Sequence, residues 1–330
     1  MTGIRKLPRI IGLFSVLAAL SVAFVTFVRP WYLNWGATDE ERGMLLPGDE
    51  IIPNARSQQT RAITIRAPAN LVWPWLAQLG QDRGGFYSFD VLENLVGCEM
   101  PTIDVLRSDK QAWQLGDKLW MYPKEKGGGT GFATLRTFIP GRALGFAARP
   151  VGAALTEPEA GSWSMVLEPA AASTTRLLVR GRGAPGRSLV GMAFDWSTFE
   201  PIHFVMERRM MIGIKQLVET GNRGRLSNHV LVVLWLITFC VFVAAGVLVM
   251  RAKEWGRALA GFAVAGIVFQ VLTFVQPPAP VGLTLVWMVL AILWWPSPYV
   301  QAIGAVREPD GFNASPDGQA SRAQSQLSGI

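Results

Sequence analysis

Hydrophobic and polar positions fall along this chain in three rhythms. Residues 10–28, 230–250, 258–275 and 281–300 carry no charged side chain. A helix rising about 1.5 Å per residue needs roughly 20 apolar residues to cross a bilayer core, so each run predicts a membrane span. Between the first and second runs the rhythm changes. Ile63 and Ile65 alternate with Thr64 and Arg66, which predicts a half-buried strand over 60–66. Leu71, Val72, Trp75, Leu76 and Leu79 then recur at helical spacing, with Pro68 suited to the first turn, Pro74 an interruption and Gly80 the stop. Ser88 is placed to cap a second short helix carrying Val91, Leu92 and Leu95.

From Gly116 the period is two. Strands are expected at 118–122, 132–139, 143–149, 162–168 and 174–182, separated by glycine- and proline-bearing turns, as in an antiparallel meander. Leu119/Met121, Leu144/Phe146, Trp163/Met165/Leu167 and Leu177/Val179 are expected on its covered face, and Arg176, Arg180 and Arg182 on the wet one. Residues 194–220 return to helical spacing. Phe199, Ile202, Met206, Met210, Gly213, Ile214 and Leu217 form an apolar stripe opposite Glu207, Arg208, Lys215 and Glu219. The fold class is therefore α+β, a curved antiparallel sheet with a long terminal helix, joined to transmembrane helices. The units are an anchor (1–35), an extended lead-in without regular structure (36–58), the globular domain (59–222), three further spans (229–300) and a disordered polar tail (301–330).

Composition sharpens this picture. Half of the 330 residues are hydrophobic and 17% are charged, below the average of soluble chains. The net charge of +7 is concentrated around the apolar runs, whereas 30–228 holds 22 Lys/Arg against 20 Asp/Glu. A nucleic-acid-binding face would put that excess inside the folded domain, so no nucleic-acid partner is expected. The first run is longer than the core of a signal peptide, and VRPWYLNWG after it has no small-x-small cleavage pattern, so it reads as an uncleaved anchor. Arg5, Lys6 and Arg9, the 251–257 loop and the carboxyl tail are basic, whereas 276–280 is uncharged. Four spans with both ends cytoplasmic satisfy the positive-inside rule and put the domain outside a bacterial plasma membrane. Two cysteines, Cys98 and Cys240, predict no disulfide, and two histidines exclude a His-rich metal centre. GGGTG at 127–131 lacks the ending of a phosphate loop. No metal or cofactor is called for. Gly261 and Ala265 are spaced to let spans approach closely, and Gln270 is the polar side chain placed to bridge them.

The segments TRAITIRAPANLVWPWLAQLG, RGGFYSFDVLENLVG, WQLGDKLWMYP and HFVMERRMMIGIKQLVE resemble members of the START-like SRPBCC superfamily, which includes polyketide-cyclase-like proteins. WGATDEERGMLLPGDE resembles the lead-in of its membrane-anchored bacterial members. The resemblance spans about 35–220 and implies a helix-grip fold, in which the sheet wraps the terminal helix and leaves a cavity. Such a pocket would bind a hydrophobic or lipid-like molecule at the membrane. Trp75, Phe86, Trp120, Trp163, Phe199, Met206 and Met210 are candidates for its wall, or else ordinary core. Arg83, with Tyr87 in the same glycine-rich turn, is placed either to hold a ligand's acidic head or to pin the turn through Asp82, Asp90 or Glu93. Glu200, His203 and Glu207 share a helix face and suit acid–base work, or else are solvated, with Asp195 or Ser197 as a cap and Glu207 paired at the surface with Arg208 or Arg209. Three functions follow: a lipid-binding protein, a cyclase- or dehydratase-type enzyme using the same cavity, and an accessory subunit docking a protein partner of unknown kind through its spans.

Overall fold

The computed structural model describes residues 6–149, 154–183 and 189–294. The end of the last apolar run, 295–300, and the expected disordered tail 301–330 lie outside them. Six antiparallel strands form one sheet: β1 (Ser57–Ile65), β2 (Lys118–Trp120), β3 (Phe132–Ile139), β4 (Ala143–Ala148), β5 (Gly161–Ala171) and β6 (Thr174–Gly183). Their order is β1-β6-β5-β4-β3-β2, a meander with β1 added beside β6. The alternation read from the sequence sets the covered face: Leu119, Leu144, Phe146, Trp163, Met165, Leu167, Leu177 and Val179 are all buried in one cluster. The long helix Glu200–Thr220 lies on this face and adds Met210, Met211, Ile214 and Leu217 to the cluster. Gly213 is what lets it seat so closely. A Cβ there would strike the carbonyl oxygen of Tyr87 in the turn beneath.

The lead-in is not an extended linker. Thr38 caps a helical turn, Asp39–Gly43, in a reciprocal capping box with Glu41. Gly36, at φ +71°, turns the chain so sharply that a Cβ would meet the carbonyl of Ala62. The strap then crosses the outer face of β1, β6 and β5, so that face is not wet. Arg180 is 1% exposed. Its guanidinium donates to the carbonyls of Glu41 and Met44, to Thr60 and to Asp49 at 2.8 Å. Arg176 is clamped by Glu41 at 2.7 Å, and Arg182 donates to the Asp49 carbonyl at 2.6 Å. Strand β1 is correspondingly covered on both sides rather than half-buried.

Local caps also differ from expectation. The first domain helix, Ala69–Ala77, has Pro68 at its cap and tolerates Pro74 inside. In the second, Asp90–Leu95, the cap position is Phe89; the Ser88 hydroxyl instead donates to the Met206 carbonyl at 2.9 Å. That helix leaves Val91 and Leu95 exposed. Neither Asp195 nor Ser197 caps the long helix. Its backbone runs back without a break through a π-helical turn, Asp195–Phe199, to Leu189–Phe194, and Ser197 donates to Ala193. The expected stripe holds from Met210 to Leu217 but not at its start. Phe199 and Ile202 are exposed, whereas Glu207, Arg208 and Arg209 are buried.

Among the described residues three helices are long and apolar enough to cross a membrane: Leu7–Leu33, Arg225–Arg251 and Trp255–Val275. A fourth apolar helix, Ala279–Trp294, is described over 16 residues. Gly261 takes Leu293 of this helix into close contact, and Ala265 is buried. The side-chain bond between spans runs from Trp235 to Thr273 at 2.5 Å, not through Gln270. At one end, Arg9 donates to the Met250 carbonyl at 2.9 Å. At the other, Tyr32 stacks between Phe204 of the long helix and Phe274, and Gln276 donates to the Val205 carbonyl at 3.1 Å. The domain is thus packed onto the same end of the helices as the 276–280 turn. Cys98 and Cys240 are free thiols.

Candidate functional site

Two polar centres lie at the base of the domain, and a third lies where the chain leaves it. The first sits inside the sheet–helix interface. Residues 61, 63 and 65 of β1 point the same way, so Arg61 enters the core beside two isoleucines and is 0% exposed. It donates to Glu207 at 2.7 Å, to the Tyr32 carbonyl at 2.9 Å and to Gln59 at 2.7 Å. The Trp163 indole donates to the other Glu207 oxygen at 2.7 Å. Desolvation of two charges is costly and is offset only with good geometry and further hydrogen bonds, and here each Arg61 nitrogen and both Glu207 oxygens are bonded. His203, stacked on Phe199 and edge-on to Trp163, stands 3.8 Å from Glu207. Burial pushes its imidazole below the usual range, partly opposed by the Glu207 carboxylate.

The second centre joins the domain to the anchor. Glu200 accepts a two-pronged pair from Arg29, at 2.9 and 3.0 Å, and a third bond from the Tyr32 hydroxyl at 3.1 Å. Glu200, His203 and Glu207 therefore do not act as one row. Glu200 faces the anchor, Glu207 faces the core, and each carboxylate already holds its donors. Surface pairing of Glu207 with Arg208 or Arg209 does not occur. Arg208 lies against the Trp35 ring and donates to Gln276; Arg209 donates to Gln216 and the Arg223 carbonyl.

The expected cavity wall is dispersed. Trp75, Phe86, Tyr87, Trp163 and Met210 are buried in the main core, where Trp75 meets Tyr87 edge-on at 5.7 Å and Phe86 leans on Trp163 at 6.2 Å. Trp120 packs on Phe132 near the sheet's far edge. Met206 offers its carbonyl to Ser88, and Phe199 is on the surface. Arg83 neither meets an acidic partner nor reaches into a hollow. Its guanidinium lies flat on Trp113 at 3.7 Å and donates to the carbonyls of Lys110 and Ala112. Its carbonyl bonds and ring contact pin the 107–113 loop to the glycine-rich turn. Two hollows among the described residues lie elsewhere, and neither is lined by these side chains.

Both hollows open at the third centre, where the long helix passes into Arg225–Arg251. The larger, about 440 Å³, is lined by Asp104, Gly221, Asn222, Gly224, Arg225 and Leu226. The other is a narrow crevice between Ser88–Val91 and Arg223, Arg225, Asn228, His229 and Val232. Left-handed Gly221 and Gly224 make the bend that opens them. Arg223 is the hub: it holds Asp90 through two bonds, at 3.0 and 2.5 Å, and approaches Asp104 at 2.7 Å. Arg225 takes the remaining Asp104 oxygen at 2.7 Å. Behind them Glu93 is half-buried beside Asp90; desolvation first, and that neighbouring charge second, push its carboxyl up to about 7. Asn228 is 4% exposed and its side-chain oxygen has no protein partner. Among the described residues no group of His, Cys, Asp or Glu gathers in a metal-binding arrangement.

Sequence reasoning missed this centre because its parts come from three distant stretches. The signal available was the run Arg223–Gly224–Arg225 directly before an apolar span.

No family model and no curated protein matches the chain. Two solved structures, both structural-genomics targets, are similar to part of it. A protein from Mesorhizobium loti aligns with 12% identity and a TM-score of 0.28, over 50% of this chain and 99% of its own. One from Nitrosospira multiformis aligns with 13% identity and a TM-score of 0.30, over 51% and 99%.

Proposed function

We propose that this is a membrane-integral lipid-binding protein in which a START-like helix-grip domain stands on four spans. Its ligand, a lipid or lipid-like metabolite, is held where the domain meets the membrane rather than beneath the long helix. The observation that carries this reading is the 440 Å³ hollow at the head of Arg225–Arg251. Its floor offers a polar head Asn222 and the Arg225 nitrogen left over after Asp104 and Thr102 take the other two. Leu226 and Val233, both exposed on the helix that continues from it, offer an apolar track for a chain. An amphipathic ligand needs both in that order along the membrane normal. The helix-grip assignment is supported by the strand order and by the helix seated on the covered face. The four-span reading, with the domain outside, is supported by the two clusters of contacts at opposite ends of the bundle, Arg9–Met250 and Gln276–Val205.

The test uses full-length protein in nanodiscs of phosphatidylcholine and phosphatidylglycerol. Photoactivatable lipid analogues should crosslink to 222–233, and Arg225→Gln should reduce the crosslinked fraction several-fold. Crosslinks on Met206 and Met210 instead would move the site into the interior. Label spread evenly over the spans, unchanged by Arg225→Gln, would remove the reading.

A further inference from the structure

The amino-terminal flank of the long helix is the least protein-like surface of the domain. Val190 is 81% exposed, Trp196 55% and Ile202 59%, with Phe194 and Phe199 also open. In a water-facing helix such side chains would sit inward. Here the helix extends past the sheet, so the sheet has nothing to cover them with.

What lies beside this flank is the end of the anchor helix. Arg29 pairs with Glu200 at 2.9 Å and its guanidinium sits 4.8 Å from the Trp196 ring. Trp31, itself exposed, meets Phe204 edge-on at 5.8 Å. Val25 and Phe27 of the anchor are exposed one turn further down. The apolar surface of the flank therefore continues the apolar surface of a span, and the charges at the seam, Arg29 and Glu200, are paired with each other. Tryptophan, phenylalanine and an arginine gathered at one level are the composition of a bilayer interface. The segment's two carboxylates do not oppose this, since Glu200 is paired and Asp195 is half-buried.

We propose that residues 190–202 lie in the interfacial layer of the same leaflet, their aromatic and aliphatic side chains immersed among acyl chains, so that the domain is fastened to the lipid by its own long helix as well as by its tethers. The occupant is the bilayer and not a second copy. The flank is continuous with anchor surface that the bilayer already covers, and any protein covering one would have to displace lipid from the other.

The experiment uses the full chain with Cys98→Ser and Cys240→Ser, in vesicles of phosphatidylcholine and phosphatidylglycerol. Nitroxide labels are placed singly through Val190→Cys and Phe199→Cys. Reference labels go at Leu236→Cys, exposed on a span, and Glu125→Cys, exposed on a polar loop. Relaxation by oxygen and by a water-soluble nickel chelate is then compared. At 190 and 199 the oxygen-to-chelate ratio should fall below that at 236, which lies deeper in the bilayer, and exceed that at 125 several-fold. A ratio like that at 125 means the flank stands in water and overturns the proposal. Protection from both reagents means protein covers it, a second copy or a partner, and overturns it equally. Val190→Cys, at a side chain this exposed, keeps the test usable should Phe199→Cys misfold.

Discussion

The space beneath the long helix and the crevice at its far end are built from the same residue types and have opposite outcomes. Beneath the helix, Arg61 and Glu207 meet with every strong bond satisfied, wrapped by Trp163, Phe204 and the methionines. At the junction, Arg223 also binds carboxylates, yet the Asn228 side-chain oxygen in the crevice has no partner, the Glu93 carboxyl is pushed up to about 7, and the neighbouring hollow stays open. A buried ion pair with full coordination fixes position. One with spare polar atoms and room keeps capacity for something else. On the proposed lipid-binding reading, the interior does structural work and the junction recognition, although the interior holds most of the aromatic side chains that a ligand pocket would use.

The sharpest way to break this comparison is at the interior pair. Glu207→Ala leaves the Arg61 guanidinium buried without its counter-charge and frees the Trp163 N–H. A loss of about 3–5 kcal/mol is expected, read as a fall in the denaturation midpoint of the detergent-solubilised protein. The double replacement Arg61→Met with Glu207→Leu should recover most of it, since apolar side chains of similar volume remove the desolvation penalty altogether. If the single variant were as stable as the parent, Glu207 would not be holding the interface.

Next in size is a pH effect at the junction. The Glu93 carboxyl, ordinarily near 4.5, stands at about 7 in the folded chain. The native state therefore keeps a proton that the unfolded chain releases. The stabilisation is complete below about pH 4.5, declines as pH rises toward 7, and levels off above it. The decline amounts to at most about 3 kcal/mol. Glu93→Gln should flatten that part of the stability curve; an unchanged slope would assign the pH dependence to another group.

Smaller again is Gly213→Ala. The added methyl group meets the Tyr87 carbonyl, so the helix must lift from the turn, at an expected cost of about 1–3 kcal/mol. Thermal melts would show it, and no change would mean that the turn yields freely.

These effects also show what the sequence made legible. The strand positions were readable because alternation and turn residues agree over 118–182. The anchor and the spans were readable from length alone. The outer face was not, because alternation says which residues share a side but not what lies against it. Arg176, Arg180 and Arg182 look solvated until the acidic lead-in, with Glu41 and Asp49, is laid over them. The buried pair was within reach. Arg61 has the parity of Ile63 and Ile65, and Glu207 lies on the spacing of Met210, Ile214 and Leu217, so both belonged to core faces by position. What no local pattern could supply was the junction, where Asp90, Asp104 and Arg223 meet across more than a hundred residues.

Asn228 gives the smallest stability change and the finest discrimination. Its side-chain oxygen has no protein bond to lose, so Asn228→Ala removes an unmet acceptor along with a little packing. The net cost should stay below about 1 kcal/mol, well under that of an amide which loses a buried partner. If a polar head bound in the hollow reaches past Arg225 into the crevice that Asn228 lines, the same change should nonetheless lower the fraction of protein carrying a crosslinked lipid, because that oxygen has no partner in the chain. A large loss of stability with lipid labelling intact would instead make Asn228 a structural residue like Glu207, and the contrast between the two regions would close.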